Sequence, residues 1–104
     1  MDKLTPSDWS VEIVTKGRDG QIVYRESSHA ASFYWEFGGG DVIAIIHGGS
    51  ASLWNEKYPW ATDRRRDVLE RVISELIRQK ARTCTANIDE ESGAILLRER
   101  KLTD

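Results

Sequence analysis

The residues best placed to do chemistry in this sequence are three cations in a row, Arg64, Arg65 and Arg66. They fall where a helix begins, and the positive end of a helix dipole disfavours cations. Two accounts fit. The triplet could hold an anion, such as a phosphate or a carboxylate. Alternatively, the charges pair along the helix, with Arg66 reaching Glu70, Asp67 reaching Arg71 and Arg71 reaching Glu75. Pairing is the simpler account. Arg65 is the exception, because helical phase directs it toward the apolar side, where a guanidinium must be hydrogen-bonded or paired. The carbonyls and rings of the preceding WNEKYPWA segment are its expected partners, with stacking on Trp54 or Trp60.

The remaining candidates are weaker. His29 and His47 are the only imidazoles, and a metal site would need Asp41 or Glu36 brought beside them. Nothing in the spacing requires it, so neither a metal nor a cofactor is expected. Gly38-Gly39-Gly40 could cradle a phosphate only if a helix followed, and a strand follows instead. His47-Gly48-Gly49 has the composition of an oxyanion turn, but the chain lacks a G-x-S-x-G elbow and is too short for that fold. Cys84 is the only cysteine and reads as a small core residue on a strand. In Phe33-Tyr34-Trp35-Glu36-Phe37 the alternation puts Phe33, Trp35 and Phe37 on one face, which suits a core better than a base-stacking platform. No constellation amounts to a catalytic centre.

These residues must be positioned by strands and one helix. Asp63 to Lys80 is the only long stretch of helical period, with Val68, Leu69, Val72, Ile73, Leu76 and Ile77 on one face. Thr62 or Asp63 is the expected cap, without a capping box. Before it, Trp9 to Ile13, Ile22 to Glu26, Phe33 to Phe37 and Val42 to His47 read as strands. The first two form a hairpin around Gly17-Arg18-Asp19-Gly20. Val42 to His47 is apolar on both faces, which predicts a strand interior to the sheet and covered on both sides. SASLWNEKYPWA is a connection, part of which could extend the fourth strand. After the helix come strands over Cys84 to Ile88 and Ala94 to Arg98. The order is ββββαββ, an α+β fold with a mainly antiparallel sheet of about six strands and one long helix on one face. Residues 1–104 form one domain, with a loose lead-in over 1–8 and a charged tail over 99–104.

Composition bounds the function. The net charge of −2 argues against nucleic acid as a whole-chain partner. Asp63 to Arg82 carries seven cations and four anions, so a locally basic helix sits on an acidic body. The opening MDKLTPSDWS lacks the apolar core of a secretory signal, no apolar run is long enough to span a membrane, and a lone cysteine fits a reducing compartment. A cytoplasmic location is therefore expected.

A sheet of six strands is about 25 Å wide, whereas a helix is about 10–12 Å across. One helix cannot cover it, so the aromatic segment, sheet curling or a second molecule must do the rest. The reading is a non-enzymatic protein-binding module that forms a homodimer, since the simplest second molecule to cover the sheet is another copy. Its recognition surface is built from Trp54, Tyr58, Trp60, Arg64 and Arg65, residue types that dominate interfaces, and a heterologous protein could dock there. The alternative is a small-ligand binder or enzyme with a pocket between the aromatic segment and the sheet. Nucleic-acid binding through the basic helix is the least favoured.

Overall fold

The computed structural model describes residues 9–100. The expected lead-in over 1–8 and the last four residues of the tail lie outside them. Four strands come first: β1 Trp9–Lys16, β2 Asp19–Glu26, β3 His29–Phe37 and β4 Val42–His47. Helix α1, Ala51–Lys57, a 3₁₀ turn over Pro59–Ala61, helix α2, Arg65–Lys80, and strands β5, Cys84–Ile88, and β6, Ala94–Glu99, complete the chain. All pairings are antiparallel, in the order β1-β2-β3-β4-β6-β5. The α+β class and the six-stranded antiparallel sheet are as the sequence predicts.

Three local expectations are corrected. The segment after β4 does not extend that strand but folds into α1 and the 3₁₀ turn. Seven residues make only two helical turns, too few for a 3.6-residue apolar period to register in sequence. The second correction concerns the start of α2, whose N-cap is Arg64 with no side-chain cap bond. Asp63 instead sits at φ +64°, donating its N–H to Asn55 Oδ1 at 2.9 Å and accepting from Asn55 Nδ2 at 3.1 Å. Asn55 on α1 thus holds the carboxylate that the helix end would otherwise have used. Third, Glu99 is the last residue of β6 rather than part of a tail, and Arg100 N–H donates to the Thr83 carbonyl at 2.8 Å.

Burial follows the predicted face of α2. Val68, Leu69 and Val72 are fully buried and Leu76 is nearly so, while Ile73 and Ile77 flank the core half-buried and Ser74 faces water. They pack on the strand residues Ile22, Tyr24, Phe33, Ile46 and Ile95. Each such side chain contributes about 1.5–3 kcal/mol when removed from water. Trp54 lies nearly parallel to Phe33, 6.3 Å between ring centres, so α1 covers the part of the sheet that α2 cannot reach.

The opposite face of the sheet is wet. Arg25 pairs with Glu12, Tyr34 Oη donates to Asp19, and His47 meets Glu36 at 2.9 Å. β4 is interior to the sheet as predicted, between β3 and β6. Its expected cover on both sides is not found: Val42 and Ile45 are only half-buried. Antiparallel sheets tolerate one solvated face, and the polar cross-strand partners make this one tolerable.

Candidate binding pocket

The aromatic segment points inward. Trp54 and Tyr58 are core residues, and the Trp54 indole donates to the Ala61 carbonyl at 2.9 Å, closing the segment on itself. Both rings, expected as part of a recognition surface, are buried within the chain itself. Trp60 is half-buried, its ring stacked between Tyr24 and His29 at 6.4 and 5.0 Å.

The arginines are engaged within the chain. Arg64 Nη1 donates to Glu26 Oε1 at 3.1 Å, Nη2 to the other Glu26 oxygen, and Nη2 also to the Trp60 carbonyl at 3.3 Å. Arg71 Nη1 donates to Tyr24 Oη at 2.8 Å, and its guanidinium lies 5.2 Å from the Trp9 ring centre. The Arg64 hydrogen bond is the main reason the Glu26 carboxyl is held below its usual range, against the opposing effect of burial. Burial, then the hydrogen bond to Glu26, pushes the Tyr24 phenol up. The expected Asp67–Arg71 and Arg71–Glu75 pairs do not form among the described contacts, whereas Arg66–Glu70 does, at 3.1 Å.

Arg65 is a clamp, as its phase implies, but on different segments. Its side chain is 11% exposed, and Nε donates to the Gly49 carbonyl at 3.1 Å. Nη1 and Nη2 reach Glu90 Oε1 and the Glu90 carbonyl at 3.3 and 3.4 Å. The Trp54–Ala61 segment is held by Arg64 instead. The β4–α1 and β5–β6 turns lie side by side there, Gly48 N–H donating to the Gly93 carbonyl at 3.0 Å. That adjacency follows from β4 pairing with β6, which sequence alone does not reveal. With Glu26 and Glu90 opposite it, the triplet offers no vacant anion site.

The open space is at the other end of α2. Leu76 is the last buried residue of the helix, and beyond it the chain turns away through Ala81 and Arg82 into β5. A pocket of about 400 Å³ is left over the ends of β1, β2, β3, β4 and β6. Ile13, Ile22, Trp35, Ile46 and Leu97 form its apolar walls, with Leu76 from the helix. Trp35 donates its indole N–H to the Val14 carbonyl at 3.2 Å and meets Phe37 edge-on at 5.2 Å. At the mouth Phe37 is 47% and Ile43 41% exposed. Ile43 lines this pocket because the β4–β6 register shifts between Val42 and Ala44, so a bulge alters the strand's alternation. Lys80, Arg82, Thr83 and Glu99 complete the rim, and Cys84 lies in the wall.

Between α1 and the sheet there is only a space of about 100 Å³, beside Phe33, Trp54 and Tyr58. A cleft of about 480 Å³ between β1 and the end of α2 is bounded by Glu75, Arg78 and Gln79, the last two donating hydrogen bonds to the Glu75 carboxylate. Phe37 and Ile43 were not expected as pocket residues. The signal for them was the surplus of apolar strand residues over what a single helix can cover.

His29 and His47 are engaged separately, on Trp60 and Glu36, and no cluster of three metal-ligating groups occurs among the described residues. No helix of the described residues is long and apolar enough to cross a membrane. The fold is α+β, with an apolar cavity open at a sheet end. Compared with known families, curated proteins and solved structures, the chain matches none of them.

Proposed function

We propose that this protein binds a small apolar molecule in the pocket at the end of α2, without catalysing a reaction. The observation that carries this reading is the cavity of about 400 Å³ walled by Ile13, Trp35, Ile46 and Leu97. That volume lies within the range of about 300–1,000 Å³ usual for small-ligand sites, which combine apolar walls with a few polar groups. The lining carries a thiol, a carboxylate and two cations, and no imidazole to serve as a base. The burial of Trp54 and Tyr58 weighs against a protein-docking surface built on those rings.

The test is titration of the folded protein with an uncharged fluorescent apolar probe, N-phenyl-1-naphthylamine, with sedimentation in parallel. Saturable binding with one site per chain is expected, and Thr15→Phe, which places a ring at the pocket wall, should abolish it without unfolding the protein. Equal binding by the variant would refute the pocket reading. So would a stable dimer whose dissociation by Phe37→Ser reveals the probe site, because the mouth would then belong to a second copy.

A further inference from the structure

We infer that the occupant of this pocket is an amphiphile with an anionic head, its apolar part inside and its head at the rim between Lys80 and Arg82. This deepens the reading of the pocket as a small-molecule site and rests on it. Apolar walls alone would accept any greasy molecule, so the rim decides the class. Lys80 and Arg82 both line it, both are exposed, and neither pairs with a carboxylate among the described residues. One carboxylate, Glu99, lines the same rim, and its Oε2 already accepts a hydrogen bond from Thr83 Oγ1 at 2.5 Å.

The carbonyl end of α2 adds a partial negative charge of about half an electron. Two full positive charges exceed that and Glu99 together, which leaves the mouth cationic. The arginines of α2 and its N-cap differ: Arg64, Arg65, Arg66, Arg71 and Arg78 each have a carboxylate partner. Along this helix and the turn that follows it, the cations without a carboxylate partner among the described residues are therefore those at the pocket rim. Lys and Arg also suit the position mechanically, because their stems can lie along apolar walls while the charge remains in water.

The test uses dodecanoate and dodecyltrimethylammonium below their micelle concentrations and dodecanol below its solubility limit, with binding read by calorimetry and the folded state by near-ultraviolet circular dichroism. Dodecanoate should bind tightest, and more weakly as salt rises. Shortening it to decanoate and octanoate should weaken binding about fourfold per methylene. Lys80→Gln and Arg82→Gln should each weaken dodecanoate about two- to fivefold, the range for exposed charge pairs, and leave dodecanol unchanged. Glu99→Gln should tighten dodecanoate. If dodecanol binds as tightly as dodecanoate and the two cation variants change nothing, the anionic head is refuted while the pocket stands. Preference for the ammonium compound would refute it by sign. If none of the three binds the folded chain, the pocket reading itself fails.

Discussion

Trp35 and Val14 are joined across an intervening strand: the indole N–H of one donates to the carbonyl of the other at 3.2 Å, over the backbone of Gly20. A Cβ at Gly20 would lie 1.9 Å from the Val14 oxygen and 2.8 Å from the indole nitrogen. The wall of the pocket thus depends on the absence of one methyl group. Gly20→Ala should destabilise the fold by about 1–3 kcal/mol, the usual cost of overpacking. It should also displace Trp35, seen as a change in near-ultraviolet circular dichroism. Full stability with an unchanged Trp signal would mean that the neighbouring strands absorb the methyl group.

Leu69 is fully buried on α2 and Ser74 is exposed on the same helix. Leu69→Ala should cost about 2–5 kcal/mol and Ser74→Ala almost nothing, measured by urea unfolding. Ile73→Ala should fall between them, because Ile73 is only half-buried.

Glu26 gives the fold an acid-sensitive point. Its carboxyl is held below the ordinary value by the Arg64 hydrogen bond, so it contributes stability above the unfolded-state value of about 4.5, and that contribution is lost as pH falls through the lowered folded value. Glu26→Gln should therefore be less stable than the parent at neutral pH and lose less on acidification, followed by urea unfolding at stepped pH. Glu75, lowered by Arg78, keeps part of the slope in both proteins. Parallel curves for parent and variant would contradict the assignment to Glu26.

Arg65→Ala should destabilise by about 1–3 kcal/mol, because the Gly49 and Glu90 carbonyls lose their donor. Arg65→Lys should recover little, since an ammonium cannot span those acceptors with a planar fork. Trp emission separates this clamp from one on the aromatic segment: Arg64→Ala should shift it to the red and Arg65→Ala much less. Equal shifts would return Arg65 to the Trp54–Ala61 segment.

The parts legible in sequence were those that repeat. Alternation in Val11–Ile13, Ile22–Tyr24 and Phe33–Trp35 located three strands, and the spacing from Val68 to Leu76 fixed the inward face of α2. Arg65 was correctly read as inward-pointing, but its acceptors at Gly49 and Glu90 depend on which strands are neighbours. The pocket was hidden for a similar reason. Trp35 and Phe37 share a strand face, yet one is buried and the other open, and only the stopping point of α2 over the sheet separates them.

The sheet order also governs how the molecule is assembled. β1 to β4 pair with neighbours along the chain, whereas Ile46 must meet Ile95 to complete the sheet. Local pairings generally form before distant ones, since they close shorter loops. Until β6 arrives, β4 is an edge strand whose backbone groups on that side are unpaired, an open template for pairing with another chain. The hazard of aggregation is therefore greatest in a nascent or partly unfolded chain, and docking of β6 both ends it and supplies Leu97 to the pocket.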